Sequence, residues 1–106
     1  MADPVRDVFL AFARVHILHH AGEDKVFGSG MMKELARHGY RLGPGTLYPL
    51  LHRMEEQGLL RAQSEVVEGK SRRYYVLTTK GRVALRRVLP KLGELAQEVL
   101  EEPKSV

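Results

Sequence analysis

Apolar residues recur at helical spacing from the start of the chain. Val5, Val8, Phe9, Phe12, Ala13, Ile17 and Ala21 fall on one side of a 3.6-residue period. Asp3 and Pro4 predict where this helix opens, as N-cap and first helical residue, and Gly22 predicts its end. Glu23-Asp24-Lys25 reads as a polar connection. A short second helix is predicted from Ser29 or Gly30 to His38, with Ser29 as its cap, Met31 and Leu35 on its inner face and Gly39 closing it. A third follows from Gly43-Pro44-Gly45-Thr46 to about Gln57, closed by Gly58, with Leu47, Leu50, Leu51 and Met54 on one stripe. Pro49 interrupts its hydrogen bonding, yet the apolar stripe crosses it unbroken.

The period then changes. Leu59 to Val67 and Arg72 to Thr78 are β-capable runs around Glu68-Gly69-Lys70-Ser71, which predicts a hairpin. Thr78 or Thr79 caps a last helix running from about Lys80 to Glu102, with Pro90 expected to kink it. Its Leu85, Leu89, Leu92, Leu95, Ala96 and Val99 repeat at close to heptad spacing. Three helices, a hairpin and a helix make a mainly α fold with a small β-hairpin: a winged helix-turn-helix with an added C-terminal helix. Residues 1–79 are expected to form the winged part. Residues 80–102 are expected as a dimerisation helix of the same compact domain, and 103–106 as a disordered tail.

Length and composition narrow what such a fold does. The chain has 106 residues, 43% hydrophobic and 28% charged, which suits one ordinary globular domain. It has no cysteine, so a disulfide framework and a thiolate metal site are excluded. The formal net charge of +4 favours an anionic partner, nucleic acid first. No basic and apolar leader occurs in residues 1–7 and no apolar run is long enough to span a bilayer, so a cytoplasmic location without membrane contact is expected. No Gly-rich phosphate loop, paired carboxylates or nucleophile–base set is present, and the chain reads as a non-enzyme without a cofactor.

Placement of the charge points to double-stranded DNA. A recognition helix must bury one face and offer a polar one that starts close to the phosphates. In the third helix, Gly45, Tyr48, Pro49 and His52 lie opposite the apolar stripe with Arg53 beside them. Gly43 and Gly45 permit close backbone approach, and Thr46 and Tyr48 can donate to phosphates. Lys70, Arg72 and Arg73 read as a basic cluster at the hairpin turn, placed to lie along the backbone or in the minor groove. Ser29, at the start of the second helix, completes the candidate DNA-binding set.

Gly45-Thr46-Leu47-Tyr48-Pro49-Leu50-Leu51-His52-Arg53-Met54-Glu55-Glu56-Gln57-Gly58-Leu59-Leu60 resembles the signature of the PadR family of transcriptional regulators. Arg72-Arg73-Tyr74-Tyr75-Val76-Leu77-Thr78-Thr79-Lys80-Gly81 resembles that family's wing strand and the start of its last helix, and Gly28 with Met31–Leu35 matches its second helix more loosely. The resemblance covers nearly the whole chain and absorbs Pro49. It implies a dimeric, cytoplasmic repressor whose third helix enters the major groove and whose wing touches flanking DNA. DNA-contact roles are implied for Gly45, Thr46, Tyr48, Pro49, Arg53, Lys70, Arg72 and Arg73. Pairing through the C-terminal helix, assisted by the first, is implied as well.

The last helix also has a physical argument for self-association. The wing and three short helices cannot cover its apolar stripe, so a second copy is the natural partner, with Phe12 of the first helix contributing. The alternative is a last helix folded back over the first. Where this chain departs from the family, Ser29 stands where an aromatic is usual, and there is no tryptophan on the last helix with which compact members stack planar ligands. Phe9, Phe12 and Tyr40 are the residues that can line a pocket for a small-molecule effector, whose identity the sequence does not give. A protein-interaction module that does not read DNA sequence is the competing function. His16, His19 and His20 have the spacing of a helical metal site, but spacing supplies no third ligand. They are expected as surface or interface histidines with no metal assigned.

Overall fold

The periodic positions of the first segment become the inward side of α1, Arg6–Glu23, whose buried residues are Ala13, Ile17, Leu18 and Ala21. The computed structural model describes residues 3–101, so the tail expected at 103–106 lies outside the described residues. α1 begins later than Asp3 and Pro4 predict. Asp3 Oδ1 accepts from the Val5 N–H and its carbonyl from the Arg6 N–H, each at 3.1 Å, so the two residues form a turn that leads into the helix. Gly22 does not end α1 either. A side chain there would come within 2.9 Å of Leu77, so this glycine serves close packing against the sheet.

The connection after α1 holds a strand that polar patterning did not announce. β1, Val26–Phe27, pairs with the second hairpin strand, Val26 opposite Tyr75 and Phe27 opposite Tyr74. It hands the chain directly to α2, Gly28–Arg37, with Phe27 in the cap position. Ser29 is therefore inside the first turn of α2 and is not its cap. Gly39, at φ +89°, closes α2 as predicted.

α3, Pro44–Glu56, carries Pro44 in its first turn, runs continuously through Pro49 and buries Leu47, Leu51 and Met54. The hairpin strands are β2, Leu60–Val67, and β3, Lys70–Leu77. The turn is shorter than predicted. Only Glu68 (φ +51°) and Gly69 (φ +76°) lie between the strands, both left-handed, as a tight two-residue turn requires. Lys70 and Ser71 belong to β3, and the sheet order is β1-β3-β2.

α4, Thr79–Leu100, is capped by Thr78, whose hydroxyl accepts from the Gly81 N–H at 2.9 Å and donates to the Gly58 carbonyl at 2.5 Å. Gly81 is the one buried residue of α4, and a side chain there would collide with the Leu59 carbonyl and Leu77. This contact fixes α4 against the body at its start. The helix then runs along α1, unbroken through Pro90.

A single core gathers α1, α2, α3 and the inner face of the sheet around Ile17, Leu35, Leu47, Leu51, Met54 and Leu60, with no polar side chain buried among the described residues. The result is a mainly helical winged-helix fold with a small three-stranded antiparallel sheet. No described helix is long and apolar enough to cross a membrane.

Candidate nucleic-acid interface

Because Leu47, Leu51 and Met54 turn inward, α3 sends Gly45, Tyr48, Pro49, His52 and Arg53 to the surface, with Thr46 half-buried. The space in front of Gly43 and Gly45 is open: a side chain at either would meet nothing within 4 Å. Neither glycine is needed for packing inside the protein, and the backbone at both stays open to close approach from outside.

Tyr48 is the best positioned of these side chains. It is 44% exposed, and its ring and hydroxyl lie within 3 Å of where a Gly28 side chain would begin. Gly28 therefore lets the ring rest on the first turn of α2. Phe27, Ser29, Tyr48, Arg72, Arg73 and Tyr75 border one concavity of about 240 Å³. Residues from α2, α3 and the wing thus share a surface, and four of the DNA-binding candidates meet there.

The basic cluster expected at the hairpin turn is dispersed. With Lys70 already in β3, strand alternation sends Lys70 and Arg72 to one face and Arg73 to the other. Arg73 turns toward α3, donates to Glu55 at 2.8 Å and lies 5.7 Å from the centre of the Tyr75 ring. That hydrogen bond to Glu55, then the neighbouring Tyr75, hold its guanidinium even more firmly protonated than usual. Arg72 lies 5.9 Å above the Phe27 ring. Lys70 stands apart beside the turn, opposite Val67.

His52 folds back along its own helix, 3.4 Å from Glu56 and 3.8 Å from Glu55. Arg53 is exposed on a hollow of about 440 Å³ between α1 and α3, which Arg6, Arg14, Thr46 and Pro49 also line. Arg6 and Arg14 were not foreseen as neighbours of α3. Their spacing on α1 says they share a side, but which helix that side meets is a tertiary fact. Arg14 is held by the Gln57 side chain at 2.9 Å.

On another surface the residues expected at a dimer contact lie largely open. Phe12, Leu89, Leu92, Leu95 and Val99 are exposed, and Leu85 and Ala96 are half-buried. α4 does pack along α1, but it leaves a trough of about 660 Å³ lined by Phe12, Val15, Val88, Leu92 and Leu95. Folding back over α1 therefore does not cover the stripe.

Residues 17–87 match the model of the transcriptional regulator PadR-like family. The chain is 51% identical over 96 residues to the transcriptional regulator Rv3488 of Mycobacterium tuberculosis, covering 91% of this chain and 90% of that one. Among solved structures it is similar to a PadR family transcriptional regulator of Eggerthella lenta, at 32% identity and a TM-score of 0.74 with 94% of each chain covered. It is likewise similar to a PadR-like regulator of Bacillus cereus, at 25% identity and a TM-score of 0.81, covering 96% and 97% of the two chains.

Proposed function

The chain belongs to the PadR-like family of transcriptional regulators, and from that premise we propose that it is a homodimeric repressor that occludes a roughly palindromic operator. It is a DNA-binding regulator and not an enzyme. The observation that carries the DNA-reading part of this proposal is the convergence of Tyr48, the first turn of α2 and the wing on one open concavity. In this reading α3 enters the major groove by its N-terminal turns, with Gly45, Thr46 and Ser29 against phosphates. Tyr48, Pro49, His52 and Arg53 face the base edges, and Lys70, Arg72 and Arg73 follow the flanking backbone.

Pairing through α4 and Phe12 sets two such helices about 34 Å apart, one turn of DNA. Release by a small apolar ligand belongs to the same proposal, because Phe12, Val15, Tyr40, Leu89 and Leu92 border a pocket of about 420 Å³ next to the pairing surface. Such a regulator works where the DNA is, in the cytoplasm.

Tyr48 separates reading from mere binding. Tyr48→Ala is expected to weaken binding to the operator about tenfold, within the range of about 1–3 kcal/mol for a base-reading contact, and to leave random duplex much less affected. Titrations of both duplexes at one salt concentration check this. Equal losses on the two would remove Tyr48 from the specificity set.

A further inference from the structure

Three imidazoles meet where the end of α2 packs on α1. His16 and His20 stand one turn apart on α1, and His38 follows the last residue of α2. The His16 and His38 rings stack with centroids 4.5 Å apart, and His20 lies 6.3 Å from each. One ring nitrogen from each of the three lies within 4.8 Å of the other two. His38 is the third imidazole that spacing along α1 could not supply.

A carboxylate serves this group. Glu34, one turn before His38, places Oε1 at 3.2 Å from His38 Nε2 and 3.5 Å from His20 Nε2. Its Oε2 is held by the Arg37 guanidinium at 3.0 Å. The anchored carboxylate thus hydrogen-bonds the His38 ring and lies beside that of His20, as the outer carboxylates around metal-bound histidines do.

We propose that His16, His20 and His38 bind a divalent transition-metal ion of the zinc type, with Glu34 as the positioning carboxylate and water in the fourth place. A tetrahedral ion with bonds of 2.0–2.1 Å needs its nitrogens about 3.3 Å apart. The three nitrogens, now within 4.8 Å of one another, therefore have to draw together by side-chain rotation when an ion binds. An all-imidazole set suits zinc, nickel or copper and does not suit calcium or magnesium, which take oxygen ligands.

A second group, His19, His20 and Glu23, competes for His20. Its members come from a single helix, and His19 is already paired with Glu23 at 3.0 Å. The three-histidine set joins two elements instead. An ion there ties the end of α2 to α1 beside Tyr40, whose ring is 5.4 Å from that of His16.

Zinc titration of the full chain in competition with a chromophoric chelator tests the site, with cobalt as spectroscopic probe. One ion per chain is expected, and cobalt should give the intense visible bands of a four-coordinate site. His16→Gln and His38→Gln should each weaken zinc at least about tenfold and bleach the cobalt bands, and Glu34→Gln should weaken it about tenfold. His19→Gln should leave affinity unchanged. Melting of each variant in chelator, expected to match the parent, separates lost ligation from lost folding. Zinc affinity no better than that of the triple His16→Gln, His20→Gln, His38→Gln variant overturns the proposal. So does loss of the ion in His19→Gln with retention in His38→Gln. None of these readouts involves DNA, so they stand or fall apart from the repressor reading.

Discussion

If the proposed pairing through α4 holds, Leu92→Glu with Leu95→Glu is expected to leave a folded monomer that binds the operator at least about a hundredfold more weakly than the parent chain. Both leucines lie on the open side of α4, 41% and 50% exposed, so the folded chain loses little by the change. The pair of chains loses far more, because burying four carboxylates against an apolar trough is prohibitive. Operator affinity then falls because the second half-site is no longer held at high effective concentration by the first. Sedimentation equilibrium and operator titration of the same preparation check both parts. A variant that stays dimeric and keeps its affinity would place the pairing surface elsewhere.

Lys70→Ala combined with Arg72→Ala is expected to lower the salt slope of DNA binding by about 3 to 4 units per dimer, at about 0.9 for each phosphate no longer neutralised. Four cations are removed from the two wings, and since phosphates carry no sequence information the loss should be equal on operator and random duplex. Among the described residues Arg72 is braced only over Phe27 and no ion pair holds Lys70, so neither has to give up a carboxylate to meet a phosphate. Arg73 already has Glu55 at 2.8 Å and would have to exchange that carboxylate for a phosphate, so its removal should matter less. An unchanged slope in the double variant would take the wing off the DNA backbone.

Particular residues show what the sequence made legible. α3 could be placed because Leu47, Leu51 and Met54 keep one period between a Pro44 start and a Gly58 stop, and Pro49 ceases to be anomalous once the family motif is seen. α4 was equally plain from its Thr78 cap and repeating leucines. β1 was hidden because two residues carry no period, and with it went the start of α2: Ser29 has a capping side chain, but Phe27 arrives at the cap position directly from the sheet. The wing's basic residues were misplaced for a local reason. Glu68 takes a left-handed conformation unusual for a residue with a side chain, which shortens the turn and moves Lys70 into the strand. Neighbouring arginines then face opposite ways.

The remaining gaps are tertiary. Arg6 and Arg14 come beside α3 only through the packing of α1, and His38 joins His16 and His20 only where α2 ends against α1. No spacing within one helix contains either fact. The dependence of Tyr48 on Gly28 is of the same kind, since the ring of one helix rests where another lacks a side chain.

Whether this chain reads DNA sequence as a pair is decided by selecting bound sequences from a random duplex pool, at about 50 mM and again at about 200 mM salt. A sequence-reading dimer should enrich a short palindrome with half-sites one helical turn apart, bound well above random DNA at both salts. A pool that enriches nothing, with weak binding that disappears at the higher salt, would contradict that reading. The basic surface would then be generic, and the winged helix would serve protein contacts instead.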